Sequence, residues 1–84
     1  MKVLIFTKKT CPKCPPAKDL AGELEKEEIE VYSYDLDNPD GLAEAAMFNV
    51  MSTPSVIVVN NKGDREIKSW RGSVPSKEEV TGAT

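Results

Sequence analysis

The sequence predicts an α/β domain: a small mixed sheet with helices on its faces. Three observations predict it. Two short apolar runs rich in β-formers, Val3-Leu4-Ile5-Phe6 and Val56-Ile57-Val58-Val59, read as buried strands. Between them Ala17, Leu20, Ala21 and Leu24 recur at helical spacing, with charged residues on the other face. The element order begins strand, helix, strand, which calls for a parallel pair joined by a crossover helix.

Lys2 to Thr7 is the first strand, apolar from Val3 to Phe6 and followed by polar Lys8-Lys9-Thr10. The helix after it runs to the acidic stretch Glu25 to Glu28. Ile29 to Asp35, with Val31, Tyr32 and Tyr34, is the second strand. Asn38-Pro39-Asp40 is a helix start: Asn as N-cap, Pro at the first helical position, an acid in the first turn. That helix is expected over Pro39–Val50 and is broken by Met51-Ser52-Thr53-Pro54, since a residue before proline avoids helical geometry. Its apolar content is Leu42, Ala43, Ala45, Ala46, Met47 and Val50, and Met47 and Met51 read as helix packing. Ser55 to Val59 and Arg65 to Trp70 flank the turn residues Asn60-Asn61-Lys62-Gly63, predicting an antiparallel hairpin. Ser76-Lys77-Glu78-Glu79 matches a capping box and starts a short last helix whose main apolar residue is Val80. The predicted order is therefore βαβαββα around a four-stranded mixed sheet, in one domain spanning residues 1–84.

Composition narrows the function. Of 84 residues, 39% are apolar and 30% charged, with a net charge of −3. That balance argues against disorder and against general nucleic-acid binding, which needs surplus Lys and Arg. Unbroken apolar runs stop at four residues, so no membrane span is expected. The N-terminal run lacks a signal-peptide cleavage pattern, which favours the cytoplasm. The chain has two Cys and no His. Ser-His-Asp, Cys-His and His-ligated metal chemistry are thereby excluded within the chain. Two thiols are also half the ligands of a structural zinc site and too few for a disulfide scaffold.

The two cysteines frame Cys11-Pro12-Lys13-Cys14, between the first strand and the first helix. A helix N-terminus favours an anion, so a thiolate at Cys11 is expected there with a lowered pKa. Residues 2–18 hold five Lys and no acid, whereas residues 19–47 hold ten acids and one Lys. Lys9 and Lys13, with Pro12, therefore tune the thiolate. The three-residue offset can place Cys14 behind Cys11, within disulfide reach. Cys11 would attack a substrate disulfide and Cys14 would resolve the mixed disulfide, with no metal or flavin required. A Cys-x-x-Cys alone also marks zinc and copper modules, so a soft-metal-binding protein remains open. Such a module predicts the order βαββαβ instead. Thr53-Pro54 lies just before the strongest strand, where a cis bond would expose the Thr53 backbone for pairing with an extended substrate.

Together, CPKC after strand one, Thr53-Pro54 before strand three and Gly72 after strand four resemble the thioredoxin/glutaredoxin superfamily. Phe6 to Cys14 is similar to the opening of glutaredoxins and of glutaredoxin-like thioredoxins. The resemblance implies a thioredoxin-like fold, a cis peptide before Pro54, Cys11 as nucleophile and Cys14 as resolving thiol. Lys8, Thr53, Pro54, Arg71 and Gly72 form the substrate-facing set. Two departures bear on subfamily. Thr10 stands where thioredoxins usually carry Trp, and the first strand lacks the buried acid many of them use. Trp70-Arg71-Gly72-Ser73-Val74-Pro75 replaces the Gly-Gly, Asp-rich turn with which glutaredoxins hold glutathione. The favoured reading is a monomeric dithiol carrier that reduces protein disulfides and is itself reduced by a flavin-dependent reductase. Ribonucleotide reductase is one target the resemblance implies, and a glutathione-linked glutaredoxin is the nearer alternative. An isomerase or oxidase would use the same site at a higher potential. Trp70 reads as packing against the hairpin, and Tyr32 and Tyr34 read as core or sheet-face residues. Pro15-Pro16 requires either an irregular first turn or a helix that starts after the cysteines.

Overall fold

The computed structural model describes residues 2–9, 14–63 and 65–82. The elements run β1 (Lys2–Thr7), α1 (Pro15–Lys26), β2 (Glu30–Asp35), α2 (Pro39–Met47), β3 (Ser55–Val59), β4 (Glu66–Arg71) and α3 (Lys77–Thr81). This is the predicted order, and it differs from the βαββαβ order of the metal-module alternative. The four strands form one sheet in the order β2-β1-β3-β4. β1 pairs parallel with β2 and antiparallel with β3, and β3 pairs antiparallel with β4. The most apolar strands are thus central. Val3 to Phe6 and Val56 to Val59 are buried on both faces, while β2 and β4 form the more exposed edges.

Strand alternation divides the core in two. Val3, Ile5, Val56 and Val58 face α1 and α3, where they meet Ala17, Leu20, Ala21, Leu24 and Val80. Trp70 packs against this cluster, with the Lys68 ammonium 5.4 Å from its ring centroid. Leu4, Phe6, Ile57 and Val59 face the other way, toward Ala45 and Val50. Tyr34 joins that side and stacks on Phe6 at 5.4 Å between ring centroids. Burial raises the Tyr34 phenol above its ordinary value of 10.0, with the charges of Glu44 and Tyr32 adding to the shift. Both tyrosines lie on β2; Tyr32 is exposed, on the sheet face rather than in the core.

The helix ends carry several differences from the sequence reading. α2 stops at Met47, three residues short of the expected Val50. Asn49 adopts φ 56°, its N–H donates to the Ala46 carbonyl at 3.3 Å, and the Val50 N–H donates to Ala45 at 2.8 Å. These two bonds form a Schellman motif, so Asn49 ends the helix before Pro54 can. Met47 and Met51 are consequently not packing residues: they are 75% and 95% exposed. Met47 faces outward on the last turn, and Met51 lies in the loop beyond it. α1 ends in the same way. Glu28 sits at φ 61°, its N–H meets the Glu25 carbonyl, and Ile29 N–H meets Leu24.

The hairpin also departs in one respect. β4 begins at Glu66 rather than Arg65, and a bulge falls in the pairing between Val58/Val59 and Lys68/Glu66. The extra residue on β4 breaks the strict alternation of Glu66, Ile67 and Lys68 against β3. α3 is short as expected: Ser76 and Glu79 complete the capping box in both directions. The hydroxyl of Ser76 accepts from the Glu79 N–H at 3.1 Å.

One glycine is demanded by packing. A Cβ on Gly41 would collide with the Asp35 carbonyl oxygen and lie 2.8 Å from its carbon. Gly41 thus lets the first turns of α2 press onto the end of β2.

Candidate functional site

The sheet register gathers the predicted site residues at one end. Thr7 is opposite Asp35, Phe6 is opposite Ser55, and Ser55 is opposite Arg71. The exits of β1, β2 and β4 and the entry of β3 therefore share an edge. Lys8 and Lys9 leave β1 there, Thr53 and Pro54 enter β3 there, and Gly72 leaves β4 there. Cys11, Pro12, Lys13 and the neighbouring Thr10 lie outside the described residues.

Cys14 is the N-cap of α1, is 1% exposed, and is disulfide-bonded. Helix α1 starts at Pro15, so Pro15 and Pro16 take the first two helical positions. There their missing N–H groups cost nothing, which settles the double-proline question in favour of a helix that begins after the cysteines. The next two N–H groups, of Ala17 and Lys18, both donate to the Cys14 carbonyl at 2.9 and 3.2 Å. The first four positions of α1 therefore offer no free N–H to a thiolate. The first turn of α1 carries no acid.

The Lys9 N–H donates to the Asp37 carboxylate at 3.1 Å, and the Leu36 N–H donates to the Thr7 carbonyl at 2.9 Å. These bonds fix the segment that leads from β1 toward the cysteines. The side chains of Lys8 and Lys9 are exposed.

The Thr53-Pro54 peptide bond is cis, as the resemblance implied. Pro54 is buried and Thr53 half-buried. The Gly72 N–H donates to the Pro54 carbonyl at 3.0 Å, and Gly72 has φ 83°, a left-handed conformation that suits glycine. Ser55 is fully buried; its hydroxyl donates to the Ser52 carbonyl at 2.7 Å and accepts from the Gly72 N–H at 3.3 Å. Arg71 points elsewhere. Its guanidinium bonds the Phe48 carbonyl at 2.7 Å, Glu66 at 2.8 Å and the Ser69 hydroxyl. The hydrogen bond from Arg71 lowers the Glu66 carboxyl below its ordinary value.

The comparisons with known proteins now bear directly on this geometry. The sequence model of the thioredoxin domain matches residues 1–83. The chain belongs to the thioredoxin family. A probable thioredoxin from Archaeoglobus fulgidus is 34% identical over 59 residues, covering 69% of this chain and 64% of that relative. The match thus spans less than two thirds of the relative's length. Thioredoxin 1 from Thermosipho africanus shares the fold at 21% identity with a TM-score of 0.77, covering 99% of this chain and 89% of that one. Thioredoxin-2 of the malaria parasite, described as a component of its protein secretion machinery, superposes with a TM-score of 0.76 at 25% identity. That likeness covers 95% of this chain and 77% of the other.

Within this thioredoxin-family chain, two residues of the site edge escaped the sequence reading. Ser55 looked like the first residue of an apolar strand, and only its polarity beside Val56 to Val59 hinted at a second task. Asp37 looked like one more acid in an acidic region. Its signal was local: Asp35-Leu36-Asp37-Asn38 is Asx-turn composition, and the Asp37 N–H does donate to the Asp35 side chain at 2.8 Å. Among the described residues no helix is long and apolar enough to cross a membrane.

Proposed function

We propose that the protein is a thiol-disulfide oxidoreductase that reduces disulfides in other proteins. The single observation behind this reading is Cys14, buried and disulfide-bonded at the N-cap of α1 in a thioredoxin-family chain. The sequence holds one other cysteine, Cys11, three residues earlier. Cys11 is the partner in this reading.

The cycle balances without a further cofactor. The Cys11 thiolate attacks one sulfur of a substrate disulfide; that S–S bond breaks, and the other substrate sulfur leaves as a thiolate that takes up a proton. Cys14, deprotonated, then attacks the Cys11 sulfur. The second substrate thiol is released and the Cys11–Cys14 disulfide forms. Two electrons and two protons pass to the substrate per turnover. Pro12, Lys13 and Lys9 favour the Cys11 thiolate. Among the described residues the only buried polar side chain is Ser55, so the proton of Cys14 has no buried carboxylate to receive it there.

Thr53 supports substrate pairing. Among the described residues its backbone N–H and C=O have no hydrogen-bond partner within the chain. In antiparallel pairing one residue exchanges both bonds with the residue opposite, so Thr53 can hold one residue of an extended substrate. Lys8 and Gly72 border the same edge, and Arg71 shapes it through Phe48 and Glu66. The cytoplasm is the proposed location, and a flavin-dependent reductase the proposed electron source.

Insulin reduction with dithiothreitol as donor tests the activity. The proposal expects catalysed turnover that is lost in Cys11→Ser. Absence of turnover, with Cu(I) bound tightly at one per chain, would favour the metal-binding alternative. Reduction of the oxidised chain by glutathione as fast as by a flavin-dependent reductase would favour the glutaredoxin alternative.

A further inference from the structure

Ser55 stands out because nothing in strand packing requires it. Its neighbours Val56 to Val59 are all buried and β-branched, and among the described residues it is the only buried polar side chain. A buried hydroxyl is costly unless it is hydrogen-bonded. Here both its donor and its acceptor are used, and on different segments. The hydroxyl donates to the Ser52 carbonyl, three residues back, at 2.7 Å. It accepts at 3.3 Å from the Gly72 N–H, which also reaches the Pro54 carbonyl at 3.0 Å.

These bonds bracket Thr53. The carbonyl before it is held by Ser55, and the carbonyl of Pro54 after it is held by Gly72. Thr53 itself keeps its N–H and C=O outside this latch. The Ser52 carbonyl shares its peptide plane with the Thr53 N–H, so the buried Ser55 hydroxyl holds that plane directly and meets the Gly72 N–H that holds the Pro54 carbonyl on the other side.

We propose that Ser55 is a positioning residue for peptide substrates: its hydroxyl fixes the Thr53 main chain that an extended disulfide-bearing segment pairs with. This rests on the oxidoreductase reading above and adds a specificity to it. A small disulfide makes no main-chain pairing with Thr53, so its reduction does not depend on Ser55.

The test uses the full chain with two acceptors: insulin, with dithiothreitol as donor, and the small aromatic disulfide 5,5′-dithiobis(2-nitrobenzoate), reduced in a single turnover by the pre-reduced chain after dithiothreitol has been removed. Ser55→Ala removes the hydroxyl while keeping a small side chain in the strand. It is expected to raise KM for insulin about fivefold, the scale of one buried hydrogen bond. The insulin kcat and the rate with the small disulfide should stay within about twofold, since no reacting atom is touched. Ser55→Thr restores a hydroxyl and should restore KM. Hydrogen exchange at the Gly72 amide gives a second readout, faster in Ser55→Ala than in the wild type. Equal losses with both acceptors, or an unchanged insulin KM, would overturn the role of Ser55. A wild type inert toward both acceptors would instead overturn the oxidoreductase reading itself.

Discussion

The backbone N–H of Lys9 donates to the carboxylate of Asp37 at 3.1 Å, across 28 residues of sequence. The bond ties the segment entering the cysteine motif to the turn that follows β2. Asp37 is in turn held by its own N–H on the Asp35 side chain at 2.8 Å. Asp37→Ala should speed hydrogen exchange at the Lys9 amide and lower stability by about 0.5–1.5 kcal/mol, the net worth of one hydrogen bond. Asp37→Asn keeps an acceptor and should recover most of the protection. Exchange followed by NMR on both variants checks this.

Glycines at two positions should respond oppositely to the same substitution. Gly41→Ala drives a methyl into the Asp35 carbonyl and should cost about 3 kcal/mol, because backbone must move. Gly22 lies within α1 with nothing inside 4 Å of an added Cβ. Gly22→Ala should therefore stabilise by about 0.5–1 kcal/mol through helix propensity. Urea midpoints, with the denaturant slope unchanged, measure both.

Glu28 carries a left-handed φ of 61° at the end of α1. A residue with a Cβ is strained there, so Glu28→Gly should raise stability by about 0.5–1 kcal/mol. The same urea titration reads it. Glu28→Ala, which keeps the Cβ, should show no such gain.

Arg71 and Glu66 give a pH-dependent term. Arg71 bonds Glu66 at 2.8 Å and lowers its carboxyl below the ordinary value of 4.5. A lowered folded-state pKa means the contribution is present above the unfolded value and is lost as pH falls through the folded one. The pair's side chains are 34% and 38% exposed, so the term is screened and well under about 1 kcal/mol. Stability profiles of wild type and Glu66→Gln should differ at neutral pH and converge in acid. Arg71→Ala should cost more, about 1–2 kcal/mol, because it also strips the Phe48 carbonyl at the end of α2.

Much of this architecture was legible in the sequence because local signals and packing agree. Val3 to Phe6 and Val56 to Val59 read as buried strands, and Asn38-Pro39 as a helix start. What stayed hidden depended on contacts between distant segments or on single backbone angles. Asn49 gave the end of α2 through a left-handed φ, a choice that Pro54 downstream obscured. Met47 and Met51 look like core residues by type, and their exposure follows only from where that helix stops. The start of α1 after Cys14 was one of two outcomes consistent with Pro15-Pro16. Ser55 was the hardest case, since its hydroxyl bridges the Ser52 carbonyl and the Gly72 N–H, and only β4 brings the second partner beside it.

In the proposed cycle Cys11 attacks the substrate and Cys14 resolves the mixed disulfide. Covalent trapping from a cell extract tests it most directly, with each cysteine changed to serine in turn and captured proteins released by dithiothreitol. Cys14→Ser should retain mixed-disulfide partners through Cys11, and Cys11→Ser should retain none. Equal trapping by both variants, or trapping by Cys11→Ser alone, would contradict these roles.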